Sequence, residues 1–197
     1  MIEEYTPEEQ AALLKIARAA VEDAAAGREP APLDLAGLPP ALTRPRACFV
    51  TLYTAEGDLR GCTGTLTARR PLAEEVSAMA VQTALYDPRF MPVRSEEVPG
   101  LRVEISILTP PRPLAFDRPE DIPRLLRPGV DGVVLMVGGR RATFLPQVWE
   151  KIPDPHRFLD MLCQKMGLPA GAWRRPDVEV HLYETVVIEE HAAARGG

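Results

Sequence analysis

Apolar residues recur at steps of three and four early in the chain, where Leu13, Ile16, Ala17, Ala20, Val21 and Ala24 fall on one stripe of a helix. Thr6-Pro7-Glu8-Glu9 ahead of them supplies a capping-box N-cap, a proline at the first helical position and a glutamate at the third, so a helix is predicted to about Gly27. Residues 28–46 are rich in Pro and small side chains, which excludes a long helix and predicts an ordered wrap-around segment. The period then shortens to two. Cys48–Tyr53 and Leu59–Leu66 read as strands around the turn signal Ala55-Glu56-Gly57-Asp58. Leu101, Val103, Ile105 and Ile107 alternate with Arg102, Glu104 and Ser106, which predicts a strand with one buried face, stopped by Thr109-Pro110-Pro111. Between these strands, Leu72, Val76, Met79, Ala80 and Thr83 mark the inward face of a second helix, opened by Pro71 and ending near Asp87-Pro88. The remainder predicts a short helix around Glu120 to Leu126 and a hairpin of Gly132 to Val137 with Arg141 to Leu145, tipped by Gly138-Gly139. A helix from Asp154-Pro155 to Gly167 and one final strand, Val178 to Ile188, complete the chain. Helices and hairpins in this mixture predict an α+β fold with a mainly antiparallel sheet flanked by helices, and no doubly wound nucleotide fold.

At 197 residues the chain is expected to form, over residues 1–197, a single domain or two closely joined lobes with no flexible linker, burying about 70% of its extended-chain surface. The longest apolar run, Gly132 to Val137, is far short of the roughly 20 residues of a membrane span. The acidic start Met1-Ile2-Glu3-Glu4 lacks the basic flank of an export signal, so a cytoplasmic location is expected. Cys48, Cys62 and Cys163 are widely spaced and odd in number, which suggests reduced thiols and neither a disulfide framework nor a zinc knuckle. A net charge of -5 argues against nucleic acid as a partner, although arginines pair at Arg44/Arg46, Arg69/Arg70 and Arg140/Arg141.

Candidate chemistry converges on Leu59-Arg60-Gly61-Cys62-Thr63-Gly64. Interior glycines weaken a strand, so Gly61 and Gly64 mark a bulge or a place where something approaches the backbone closely. Cys62 sits between them, two residues after a cation, a setting expected to favour the nucleophilic thiolate. Cys48 and Cys163 read as core fillers. Asp87-Pro88-Arg89-Phe90 has a rigid path that holds its two charges in fixed directions, suited either to recognition or to bracing a loop. Glu104 and Ser106 gain interest if the Cys62 turn lies over their strand face. His156, His181 and His191 show no metal-ligand spacing, no metal is assigned, and no cofactor is indicated.

These motifs together resemble the AMMECR domain family. The resemblance spans nearly the whole chain and rests on Ala47–Leu52, Leu59–Leu66, Pro71-Leu72, Asp87–Val93, Val103–Pro110, Arg141–Trp149, Phe158-Leu159 and Lys165–Leu168. It departs from the family pattern at Thr63, where Ile is usual, and at Ala47, where Gly is frequent. The resemblance implies an α+β fold of a larger and a smaller lobe, with the Arg60–Gly64 turn bordering the functional surface. It also implies work in concert with a Memo-like protein, itself similar to ring-cleaving dioxygenases, and with a radical SAM protein.

The leading expectation is therefore an enzyme or enzyme component. In it Cys62 attacks or binds a small molecule, Arg60 or Arg89 neutralises the ligand's charge, and Asp87 or Glu104 handles protons. Gly61, Thr63, Gly64, Phe90 and Ser106 would line the ligand site. The alternative is a non-catalytic interaction module that docks through the Arg60–Gly64 turn.

Overall fold

The computed structural model describes residues 5–190. The described chain divides into two compact units, a larger one of residues 5–108 and 186–190 and a smaller one of residues 109–185.

The larger unit opens with α1 (Pro7–Ala25). Its start is fixed as the sequence predicts: Thr6 Oγ1 accepts from the Glu9 N–H at 3.3 Å while Glu9 Oε2 accepts from the Thr6 N–H at 2.9 Å. After a short α2 (Pro40–Thr43) the chain forms the hairpin β1 (Ala47–Tyr53) and β2 (Leu59–Gly64), then α3 (Leu72–Tyr86) and β3 (Arg102–Leu108). β1 pairs antiparallel with both β2 and β3. One face of β1 and β3 (Val50, Leu52, Val103, Ile105) joins Leu13, Ala17 and Val21 of α1 and Leu72, Val76 and Ala80 of α3 in a buried core. Each fully buried Leu, Ile or Val there contributes roughly 1.5–3 kcal/mol. Arg18 of α1 donates to the Val98 and Leu101 carbonyls and to the Glu190 carboxylate, which also accepts the Val103 N–H.

The smaller unit contains β4 (Arg112–Pro113), α4 (Ile122–Leu125), the hairpin β5 (Gly132–Val137) and β6 (Arg140–Phe144), α5 (Pro155–Lys165) and β7 (Glu179–Tyr183). Gly138 and Gly139 turn the hairpin at φ of 57° and 75°, the left-handed pair such a tight turn requires. Its core is built around Trp149, stacked on Phe158 at 3.7 Å, with Leu135, Leu159 and Trp173.

The sequence predicts one final strand and one principal sheet, and here the structure differs. The last segment is two strands, β7 and β8 (Thr185–Glu189), placed in separate four-stranded sheets of order β4-β7-β5-β6 and β2-β1-β3-β8. The break falls at Glu184. Its N–H donates to Thr109 Oγ1 and its carbonyl accepts from the Thr109 N–H, both at 2.9 Å, while its side chain accepts from Arg127. Neither Gly nor Pro marks this point; Val180, Leu182, Val186 and Ile188 share one parity, and the polar Glu184 is its one interruption. One polar residue in an alternating run does not by itself tell a change of sheet from a continuous strand.

Gly64 shows how tightly the hairpin is packed. A Cβ there would lie 2.3 Å from the Phe49 ring and 2.6 Å from the Cys48 carbonyl, whereas one at Gly100 would meet nothing within 4 Å. Gly64→Ala is expected to lower unfolding free energy by about 1–3 kcal/mol, and Gly100→Ala by less than about 0.5 kcal/mol. Urea unfolding of the two variants beside the unmodified chain checks this; equal losses would show that the ring moves aside freely.

Candidate functional site

β2 is an edge strand, with β1 on one side only. Its register with β1 shifts between Leu52 and Tyr53, which face Gly61 and Leu59, so Arg60 is an extra residue bulged out of the ladder. Arg60 consequently turns away from the cysteine. Its Nε donates to Glu97 Oε2 at 2.8 Å and its Nη2 to the Met91 carbonyl at 3.0 Å. The neighbouring cation expected to favour the thiolate is thus committed elsewhere.

Past the bulge the strand alternates strictly. Gly61 and Thr63 face α3. A Cβ on Gly61 would come within 2.9 Å of the Thr83 methyl, and the Thr63 hydroxyl lies 2.7 Å from Thr83 Oγ1 and 3.3 Å from the Met79 carbonyl. Thr83 in turn donates to the Val50 carbonyl at 3.0 Å. What approaches the two glycines closely is the protein itself, Thr83 at Gly61 and the Phe49 ring at Gly64.

Cys62 faces the other side of the sheet. Its cross-strand partner is Thr51, whose partner on β3 is Glu104, so Cys62, Thr51 and Glu104 form a row across three strands. The next row is Gly64, Phe49 and Ser106. At one strand spacing of about 4.5–5.5 Å per step, Cys62 and Glu104 have Cα atoms about 10 Å apart. Thr51 Oγ1 donates to Cys62 Sγ at 3.3 Å. Glu189 acts on Glu104 from close by, and Tyr53 carries the Arg102 guanidinium 5.6 Å above its ring.

The outward backbone groups of Cys62 are held by the loop after α3. Asp87 Oδ2 accepts the Cys62 N–H at 2.9 Å, and Arg89 Nη2 donates to the Cys62 carbonyl at 3.0 Å. Arg89 also donates to both Asp87 oxygens, at 2.9 and 2.7 Å, and its own N–H to Oδ1 at 3.1 Å. Phe90 stands beside this clamp, 5.5 Å from the Arg89 guanidinium and 6.0 Å from that of Arg60.

Electrostatics follow from this arrangement. Arg89 holds the buried Asp87 carboxyl far below the usual carboxylate range, assisted by the Cys62 N–H, so Asp87 stays ionised and braces the strand. Glu104 is pushed up by burial and by Glu189. Cys62 is also pushed up, chiefly by burial, with Asp87 and Glu104 adding to the rise while the Thr51 hydroxyl and Arg89 pull it back. The sequence expectation of a favoured thiolate is therefore corrected: desolvation outweighs the cation. Cys48 and Cys163 are buried and likewise raised, in keeping with core fillers. Among the described residues no group of three or more His, Cys, Asp or Glu is placed to hold a metal ion. No helix among them is long and apolar enough to cross a membrane.

The site thus gathers Cys62, Thr63, Asp87, Arg89 and Phe90 at one sheet edge, and places Glu104 and Ser106 on the face that Cys62 shares. Ser106 is buried, where the strand pattern predicts a polar face. Thr51 and Glu97 escape the sequence reading, and Thr83 enters it only as an inward-facing helix position. Thr51 alone had a signal, since the parity of β1 puts Phe49, Thr51 and Tyr53 on the polar face.

The clamp has a pH signature. A carboxylate held below its unfolded value contributes stability that is fully present above about pH 4 and is lost as pH falls through the depressed folded value. Asp87→Asn is expected to cost about 2–4 kcal/mol at pH 7, and the gap between variant and parent should shrink below about pH 4. Urea titrations at pH 7 and in acid measure both values; a pH-independent gap would assign the loss to packing.

Comparison with known proteins bears on the whole arrangement. Residues 14–188 match the family model AMMECR1. A protein of Methanothermobacter thermautotrophicus is 38% identical over 194 residues, covering 94% of this chain and 98% of its own length. Protein MJ0810 of Methanocaldococcus jannaschii is 35% identical, with 94% of this chain and 92% of its own covered. The crystal structure of the uncharacterized protein PH0010 from Pyrococcus horikoshii superimposes with a TM-score of 0.84 at 36% identity, over 94% of this chain and 93% of that one. With its two antiparallel sheets, its helices and its Arg60–Gly64 turn in place, the chain belongs to the AMMECR1 family.

Proposed function

We propose that the protein is an enzyme or enzyme component that receives a small molecule on the sheet face carrying Cys62, with the sulfur as the group that attacks or binds it. The observation that carries this reading is the row Cys62, Thr51, Glu104. In this reading Cys62 is the nucleophile and Glu104 the proton acceptor, two strands apart on one face with Thr51 between them. Thr51 orients the sulfur by its hydrogen bond. Glu104, raised by burial and by Glu189, is suited to take the thiol proton and return it. Arg89, which already lowers the thiol's pKa, neutralises charge that develops beside the sulfur. Asp87 acts as a positioning residue. The family resemblance supports action in the cytoplasm with a Memo-like and a radical SAM protein as partners.

A second reading, a docking module, draws on the exposed apolar residues around the clamp. Met91 is 81% exposed and Tyr86 62%, beside Phe90 and two arginines, the residue types enriched at protein interfaces.

Because burial raises the Cys62 thiol, alkylation of the native protein should be slower than that of a free thiol at pH 7.5 and should accelerate with an apparent pKa above ~8.5. Thr51→Val removes a hydrogen bond that favours the thiolate, so its rate at that pH should fall roughly three-fold or more. Peptide-resolved mass spectrometry reads the rates; fast alkylation with a pKa below ~8.5 would show that desolvation does not dominate.

Cys62→Ser and Met91→Asp separate the two functions. Complementation of a strain deleted for the protein should fail with Cys62→Ser, and with Glu104→Gln, while Met91→Asp complements fully. The opposite pattern, a working serine variant and a failing Met91→Asp, would replace the enzyme reading with the docking one.

A further inference from the structure

A cleft of about 730 Å³ lies behind the Cys62 turn, on the α3 side of β2, and reaches Thr63 and Gly64. Its walls combine Pro30, Leu33 and Val81 with Arg70, Glu74 and Gln82. None of those three polar side chains hydrogen-bonds another described residue. Arg70 has only a loose ion pair, its Nε standing 3.6 Å from Glu75, beyond hydrogen-bond reach. The Glu75 side chain is 4% exposed and Arg70 half-exposed, so the guanidinium stands at the mouth of the cleft beside this carboxylate, without a direct hydrogen bond to it.

Charge and shape together select the ligand. A lone anion drawn to Arg70 would meet the carboxylates of Glu74 and Glu75. A lone cation drawn to Glu74 would leave the guanidinium without a partner. A molecule carrying both charges answers both: its carboxylate takes the planar fork of Arg70, its ammonium group takes Glu74, and an aliphatic body lies against Pro30, Leu33 and Val81. The volume falls within the range of small-molecule sites. We infer that this cleft is a binding site for a free α-amino acid with an apolar side chain. The site is separate from the sheet face of Cys62, since Thr63 and Gly61 point to the α3 side and Cys62 to the other. A ligand seated there would touch the two residues that follow the sulfur-bearing one.

The test uses the full chain and L-leucine, with N-acetyl-leucine and leucinamide as probes that lack the ammonium or the carboxylate. In amide proton–nitrogen spectra, leucine is expected to give saturable shifts at Gly64 and Ala78. Both derivatives should bind about ten-fold more weakly or not at all, since each loses one charged hydrogen-bonded contact. Arg70→Gln and Glu74→Gln should weaken leucine by a similar factor while keeping the parent's spectral dispersion. Absence of saturable shifts up to the solubility of leucine, or a derivative that binds as tightly as leucine, overturns the assignment. The derivative comparison needs no variant, so it stands even where a substitution unfolds the chain. Failure here leaves the Cys62 reading untouched, because alkylation and complementation probe the opposite face.

Discussion

An edge strand leaves the N–H and C=O of every second residue without a partner strand, and a buried strand cannot leave such groups unpaired at small cost. In this protein Cys62 occupies one of those positions, and a single carboxylate with a single guanidinium satisfies both of its backbone groups. Much of the site depends on that pairing. Asp87 must be ionised to accept two backbone N–H groups and a guanidinium at once, and Arg89 must be held by Asp87 to reach the Cys62 carbonyl. The loop after α3 is thereby fixed to the strand, which sets the direction of the sulfur and closes the sheet edge to other chains at the same stroke.

The clamp also explains why the thiol is restrained. Holding the strand edge closed brings a buried carboxylate beside the sulfur, and Asp87 and Glu104 both act to raise it while burial does most. Thr51 and Arg89 oppose them without prevailing. Anything that brought positive charge or a hydrogen-bond donor to the sulfur would shift this balance toward the thiolate. Protection from adventitious oxidation follows from the same desolvation, since the thiolate is the species that oxidants attack.

Most of the fold was legible because local chemistry and tertiary packing agree. The capping box at Thr6, the alternation of β3 and the Gly138-Gly139 turn each name one structure, and each forms it. The final segment reads as one strand because Glu184 alone interrupts its alternation, without Gly or Pro; what divides it is the backbone of Glu184 paired to Thr109, 75 residues away. At the site, glycines and charges identified the segment, while orientation was hidden. A one-residue bulge sends Arg60 to Glu97 instead of toward the sulfur, and bulges of this kind follow from packing that no local pattern encodes. Thr51 was legible in principle by parity, but a threonine in an apolar strand reads as β-propensity before it reads as a hydrogen-bond donor.

The same strand therefore faces three ways. Its outer face presents Cys62, its edge is held by Asp87 and Arg89, and its inner face anchors Thr63 to Thr83 and Met79 of α3. Consecutive residues of a strand point to opposite faces, and Thr63 shares one peptide plane with Cys62. That plane carries the Cys62 carbonyl, the acceptor of Arg89. The helix side and the clamp are thus joined through a single peptide unit, with no intervening side chain. The two glycines give this short segment its close contacts with Thr83 and Phe49 on either side of the residue that bears the sulfur.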